Sequence, residues 1–200
     1  MSHVLHIAGY YLAAALVATL PAAMLYWFLI HPLAAFWRRL GKTATFTIVG
    51  LVCVAVAAYL FSLRERLLAV HWGYHWALIA LGLALYVLGV YGERRIRRQL
   101  EFRILVGTPE LDAESPGALL TEGVYERSRN PRYVNLVVAL FGWALVLNYP
   151  AVYVTLALSV PALYCIVLLE ERELRARFAE PYAAYCRRVQ RLLPRRGWIA

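Results

Sequence analysis

Residues 123–133 read GVYERSRNPRY and lead straight into two apolar runs, 134–147 and 151–169. Asn148-Tyr149-Pro150 separates the runs, and Glu170-Glu171 follows the second. A chain that enters an apolar helix at Tyr133, turns at Asn-Tyr-Pro and leaves at Leu169 returns to the side on which it began. Arg129-Asn130-Pro131 then faces the acidic pair across a helix–helix seam. Charges at the margin of hydrocarbon are costly unless they are paired or solvated. A zwitterionic or cationic ligand held between the two clusters meets that requirement.

The surrounding chain puts this seam in a membrane. Of its 200 residues 62% are hydrophobic and 16% charged, with a mean hydropathy of +0.57, too apolar for an ordinary soluble domain. Long apolar segments cover 9–30, 43–63, 76–91, 134–147 and 151–169. Most approach the roughly 20 residues of a spanning helix, and the fourth is short. None alternates in the manner of a barrel strand, so backbone satisfaction in lipid selects helices. The expected fold is all-α and integral to the membrane. It has about five transmembrane helices, a hairpin of the fourth and fifth, and a cytoplasmic C-terminal helix.

Basic residues orient the bundle. With the first two segments joined in the cytoplasm, 19 of the 21 Lys and Arg residues fall on that side, and only Arg64 and Arg66 lie outside. The excess of basic residues predicts the N-terminus outside and the C-terminus inside, most simply in a cytoplasmic membrane. The net charge of +9 sits where anionic headgroups are, and no nucleic-acid-reading motif accompanies it. No Lys or Arg precedes Arg38, and the first run is longer than a signal-peptide core, so it is expected to be retained. Cys53, Cys165 and Cys186 are too widely spaced for a zinc site or a disulfide framework. His71 and His75 lie four apart among Trp72 and Tyr74, a composition that suits an interfacial belt better than a metal site.

Several local features follow from spacing. Pro21 is expected to kink the first helix. Gly82 and Gly89 allow close helix approach in the third. The stretch 93–106, ERRIRRQLEFRILV, carries Ile96, Leu100 and Ile104 among arginines and reads as an interfacial amphipathic helix. Residues 107–120, rich in Pro, Gly and acids, form a loop. After the hairpin, Glu171 can pair with Arg175 and Glu173 with Arg177 at i, i+4. Glu170 has no such partner and shares a row with Leu174 and Phe178, which predicts a buried carboxylate in need of a cation. Glu180-Pro181 breaks the helix, with Pro181 opening the next one.

GVYERSRNPRY, the hairpin, Glu170-Glu171 and FAEPYAAYCRRVQRLLP together resemble integral-membrane methyltransferases. These include isoprenylcysteine carboxyl methyltransferase and the phospholipid methyltransferases. The resemblance covers roughly residues 117–194. It implies that S-adenosylmethionine binds at the cytoplasmic face and that a lipophilic substrate or lipid arrives from the bilayer. It places Tyr125, Asn130, Pro131, Arg132 and Tyr133 along the cofactor pocket, with Gly117, Ala118, Leu119 and Leu120 on the adenosine side. Glu170 would hold the cofactor's α-amino group, and Arg129 its carboxylate or an acid that closes the pocket. The chain then divides into an N-terminal membrane region, 1–106, and a methyltransferase core, 107–200.

The pattern departs from the carboxyl methyltransferases in two places. Asn130 stands where they carry histidine, and Ile166 and Val167 occupy the level at which the eukaryotic enzymes carry an arginine. Both departures favour an amine or other non-carboxylate acceptor, for which Glu171 or Tyr133 would accept the proton. Prenylcysteine-type carboxyl methylation is the alternative acceptor reading. The C-terminal stretch also looks like the end of NADPH-dependent membrane sterol reductases, but the chain scarcely has room for a dinucleotide site.

Overall fold

The computed structural model describes residues 3–97 and 119–193, and among them there is no strand. The chain is an all-α integral membrane protein. Its helices are α1 (His3–Ile30), α2 (Ala34–Leu40), α3 (Lys42–Ser62), the single turn α4 (Arg64–Leu67), α5 (Trp76–Arg97), α6 (Pro131–Leu147) and α7 (Pro150–Arg188); a 3₁₀ turn, Gly123–Glu126, precedes α6. By length and composition α1, α3, α5 and α7 are each able to cross a membrane. α6 has 17 residues, about 25 Å of helix, a little less than a bilayer core of about 30 Å.

The five long helices run alternately up and down, so their connections collect at two ends. At one end the ring of His6 lies 5.7 Å from that of His71. Asn148, in the left-handed conformation that closes α6, accepts Trp72 N–H on its carbonyl at 3.2 Å and donates its amide to the Gly73 carbonyl at 2.7 Å. His71 is tied to the Leu147 carbonyl at 3.1 Å and packs on Tyr149. The hairpin turn and the 63–75 loop therefore brace each other. The opposite, basic end gathers the α1–α2 turn, the last turn of α5, the 123–131 segment and the C-terminal part of α7. Among the described residues only Arg64 and Arg66 of the Lys and Arg set lie away from it.

Glycines set a close approach between α5 and α6. A Cβ on Gly82 would stand 2.6 Å from the Gly142 carbonyl oxygen, and one on Gly89 would stand 2.6 Å from that of Asn135. α5 and α6 thus touch backbone to backbone, as small residues permit between membrane helices. On its other flank α6 meets α1 and α7 through Tyr133, whose ring joins Leu20, Met24, Leu163, Ile166 and Val167 in one apolar cluster. Large apolar residues on the outer faces, among them Leu51, Val54, Val87 and Leu158, remain exposed, as lipid-facing positions should.

Three helix boundaries refine the expectations from sequence. α1 runs through Pro21 as one helix. α5 continues past Tyr91 and Glu93 to Arg97 without a break, and the remainder of the expected amphipathic stretch lies outside the described residues. α7 breaks at Ala179, φ 44° and ψ −118°, so Pro181 opens a second segment that folds back over the bundle. Tyr182, Tyr185 and Val189 of that segment pack with Leu119, Tyr125, Leu174 and Phe178. That packing holds a backbone conformation that is costly for alanine.

The glycine seam generates a direct test. Gly142→Val forces apart two backbones that have no alternative spacing and should destabilise the protein by about 1–3 kcal/mol. A lowered midpoint of thermal unfolding in detergent reads this loss, and an unchanged midpoint would contradict the seam.

Candidate active site

At the basic end, two carboxylates adjacent in sequence stand in different surroundings. Glu171 is 2% exposed. Its Oε1 accepts from Arg129 Nε at 3.1 Å and from Asn130 Nδ2 at 3.1 Å, while Oε2 accepts from Arg191 Nε at 3.1 Å. Arg129 Nη2 lies 3.0 Å from Oε1. Arg129 Nη1 is directed to the carbonyls of Cys186 and Val189, at 3.2 and 3.3 Å. The surrounding backbone is paired as well. Arg129 N–H donates to Gln190 O at 2.9 Å, Asn130 N–H to Arg191 O at 3.1 Å, and Ser128 Oγ to Leu192 O at 2.7 Å. A buried ion pair survives only when its remaining donors and acceptors are also satisfied, and here they are.

Glu170 is the more open of the two, with a side chain 24% exposed. Tyr133 donates its phenolic O–H to Glu170. His31, just past the end of α1, brings Nε2 to 3.8 Å from Glu170 and Nδ1 to 3.0 Å from Glu173. Burial of the imidazole, the largest influence, would lower its pKa, but the two carboxylates outweigh it and raise it from 6.5 to about 9. Tyr125 closes the cluster. Its carbonyl accepts from Tyr185 Oη at 2.7 Å. Burial keeps its phenol neutral and well above the ordinary range, opposed by Arg132 and reinforced by Glu170 and Glu93.

The acidic pair therefore reverses the expectation from the α7 row. The buried carboxylate is Glu171, with cations from the 129–130 loop and from Arg191, and Glu170 is the partly open one. Helical periodicity describes α7 alone, whereas the burial of Glu171 comes from the chain turning back at Ala179 and laying residues 186–192 beside it. Glu171 also has Arg175 at 3.9 Å, its expected i+4 neighbour, as a more distant contact. Glu173 reaches across to His31, in the turn that follows α1.

The remaining expected residues divide around α6. Tyr125, Tyr133 and Glu170 share the flank that faces α1 and α7. Arg132, at the start of α6, lies 3.9 Å from Glu93. Pro131, the first residue of α6, lines a cavity of about 160 Å³ on the α5 flank with Tyr91, Ile96, Val124, Arg127 and Asn135. Asn130 is 8% exposed and directs its amide to Glu171 and to the Arg191 carbonyl. Leu119 packs against the C-terminal segment, Leu120 is half-buried, and Gly117 and Ala118 lie outside the described residues. Two residues that sequence spacing did not single out belong to the constellation, His31 and Arg191. Both reach it from distant parts of the chain.

The family model for phospholipid methyltransferases matches residues 77–180. That span covers more than half of the chain and includes α5 but for its first residue, α6, the Arg129–Tyr133 motif and both glutamates. The chain belongs to the phospholipid methyltransferase family. A member of this family is a membrane methyltransferase, and S-adenosylmethionine is the general methyl donor of such enzymes. Neither the comparison with curated proteins nor that with solved structures returns a match. His31 and Arg191 both lie outside the matched span.

The Glu171 cluster should behave as a fixed support. Glu171→Gln leaves the buried Arg129 guanidinium without its counter-charge and should cost about 3–5 kcal/mol of stability. Glu180→Gln, which breaks only the exposed pair with Arg187, should hardly move the unfolding midpoint. Equal shifts for the two variants would contradict the clamp.

Proposed function

We propose that this protein transfers a methyl group from S-adenosylmethionine to a lipophilic amine or other non-carboxylate acceptor at the cytoplasmic face of its membrane. The observation that carries the reading is the Glu170–Tyr133 pair. A carboxylate that is partly open, anchored by one phenol and set beside the family motif suits an ammonium group. The positive-inside rule turns the basic end towards the cytoplasm, with the N-terminus outside.

The residues present fit the cofactor. Glu170, steadied by Tyr133, would hold the α-amino group. Arg132 has a partly exposed guanidinium whose ion-pair contact among the described residues is Glu93 at 3.9 Å, and its charge reaches Tyr125, as that of Glu170 does, so it is better placed than Arg129 to meet the carboxylate. Arg129 and Asn130 are occupied by Glu171 and act by fixing the loop that carries Pro131 and Tyr133. Leu119 and Leu120, with Gly117 and Ala118, would line the adenosine side, within a methyltransferase core of 107–200. When bound, the cofactor supplies a methyl group on a sulfonium. Positioning then carries much of the rate enhancement, since reacting groups held in line need no further ordering.

The acceptor follows from which charges remain available. A carboxylate acceptor is best held by a fixed guanidinium. The level of Ile166 and Val167 is apolar and buried, and Arg129 is engaged. An amine instead needs its proton removed. Glu171 is enclosed by Arg129, Asn130 and Arg191, which leaves Tyr133 together with Glu170 as the proton acceptor. Family membership favours methyl transfer over a nicotinamide-dependent reduction.

Purified protein in nanodiscs containing phosphatidylethanolamine, given methyl-labelled S-adenosylmethionine and N-acetyl-farnesylcysteine in competition, tests the reading. Label is expected on the lipid amine, and Glu170→Gln should weaken cofactor binding roughly 10- to 150-fold, the range for a charge-assisted hydrogen bond. Methyl ester on the prenylcysteine alone would overturn the acceptor assignment. Cofactor affinity unchanged by Glu170→Gln would overturn the site.

A further inference from the structure

The cavity on the α5 flank of α6 has no part in the site described above. Leu88, Tyr91 and Ile96 give it apolar walls, and the exposed side chains of Arg95 and Arg127 stand at its edge, with no acid among the described lining residues. Asn135 lines it from α6. That residue is 4% exposed, and its side-chain amide makes no hydrogen bond among the described residues. A buried amide without a partner is costly, and this one faces open space. Gly92 makes the room for it, since a Cβ there would stand 2.6 Å from Asn135 Nδ2.

The lining groups are ordered by depth. On α5, Arg95, Gly92 and Leu88 stand at successive turns, each about 5 Å further from the basic end than the last. Asn135 lies at the level of Gly92, one turn deeper than Arg95. A guanidinium is therefore followed by an amide, and the amide by apolar side chains, Leu88 and Tyr91, that are open to lipid. A glycerophospholipid carries complementary groups in the same order: a phosphodiester, then the ester carbonyls of its glycerol, then acyl chains.

We propose that this cavity binds a glycerophospholipid with a net negative head group, drawn from the leaflet at the basic end. Its phosphodiester meets Arg95, an ester carbonyl accepts from the Asn135 amide, and an acyl chain runs along Leu88 and Tyr91. Basic pockets between membrane helices on the cytoplasmic side suit anionic head groups. An amine head group, such as that of the acceptor proposed above, would bring an ammonium up against two guanidiniums. The cavity therefore holds a second lipid, and its occupancy does not depend on the methyltransferase reading. Seated between α5 and α6 beside Pro131, the lipid braces the start of the helix that carries Tyr133.

Native mass spectrometry of the full-length protein in an uncharged detergent, titrated with phosphatidylglycerol or with phosphatidylcholine of the same chains, tests this. The first phosphatidylglycerol should bind about fivefold more tightly than phosphatidylcholine, the advantage that one basic residue gives an anionic head group. Arg95→Gln should remove most of that preference. Arg94→Gln, one residue away on α5 and outside the described lining, should leave it intact. Asn135→Leu should weaken both lipids about two- to tenfold, the range for one hydrogen bond, because both carry the ester. Glycerol 3-phosphate should not compete. A wild type without preference would overturn the site, as would a folded Asn135→Leu variant that binds both lipids as the wild type does. Equal losses at Arg94 and Arg95 would replace it with a diffuse basic surface, and competition by glycerol 3-phosphate with a soluble phosphate ligand. The wild-type preference, the two arginine variants and the competition decide the matter even if Asn135→Leu does not fold.

Discussion

The carboxylate of Glu171 is out of water and anchors chain segments that are far apart in sequence. Arg129 and Asn130 come from the loop before α6, and Arg191 comes from beyond the end of α7. None of these polar groups could be buried alone, since an isolated charge at low dielectric costs several kcal/mol. Each makes the burial of the others tolerable. The loop that carries Pro131 and Tyr133 is thereby pinned to the C-terminal segment, and the rest of the basic end takes its position from that joint.

Two adjacent glutamates consequently have separate tasks. Successive residues on a helix point about 100° apart, so Glu171 faces the returning chain while Glu170 faces α1 and α6. The first is saturated with donors and serves as structure. The second keeps part of its surface open and is the carboxylate proposed to bind the ligand. A site built this way can change its occupancy without disturbing the joint that supports it, which is what a cofactor that must enter and leave requires. The glycine seam between α5 and α6 acts in the same sense, since it fixes α6 and with it the phenol of Tyr133.

Much of this architecture was legible in the sequence because it depends on local signals. Apolar runs gave the long helices, Asn148 and Pro150 gave the hairpin turn, and Pro181 marked the break near Ala179. Gly82 and Gly89 announced a close helix contact, though not that α6 would be the partner. The motif residues Tyr125, Asn130, Tyr133 and Glu170 were recognisable as a group. The environment of the acidic pair was not, because burial of Glu171 depends on Arg191 and on a chain reversal that no periodicity within α7 encodes. His31 was hidden for the same reason. It lies in a turn far from α7 in sequence, and only the packing of α1 against α7 brings it to Glu170 and Glu173. Long-range charge contacts leave no spacing pattern to read.

The division of labour between the two glutamates is most directly tested by an experimental structure of the protein in lipid with S-adenosylhomocysteine bound. The account predicts the ligand's amino nitrogen at hydrogen-bonding distance, about 3 Å, from the Glu170 carboxylate. Glu171 should still be held by Arg129, Asn130 and Arg191. A ligand bound on the α5 flank of α6, or one whose amino group displaces Arg129 from Glu171, would contradict it.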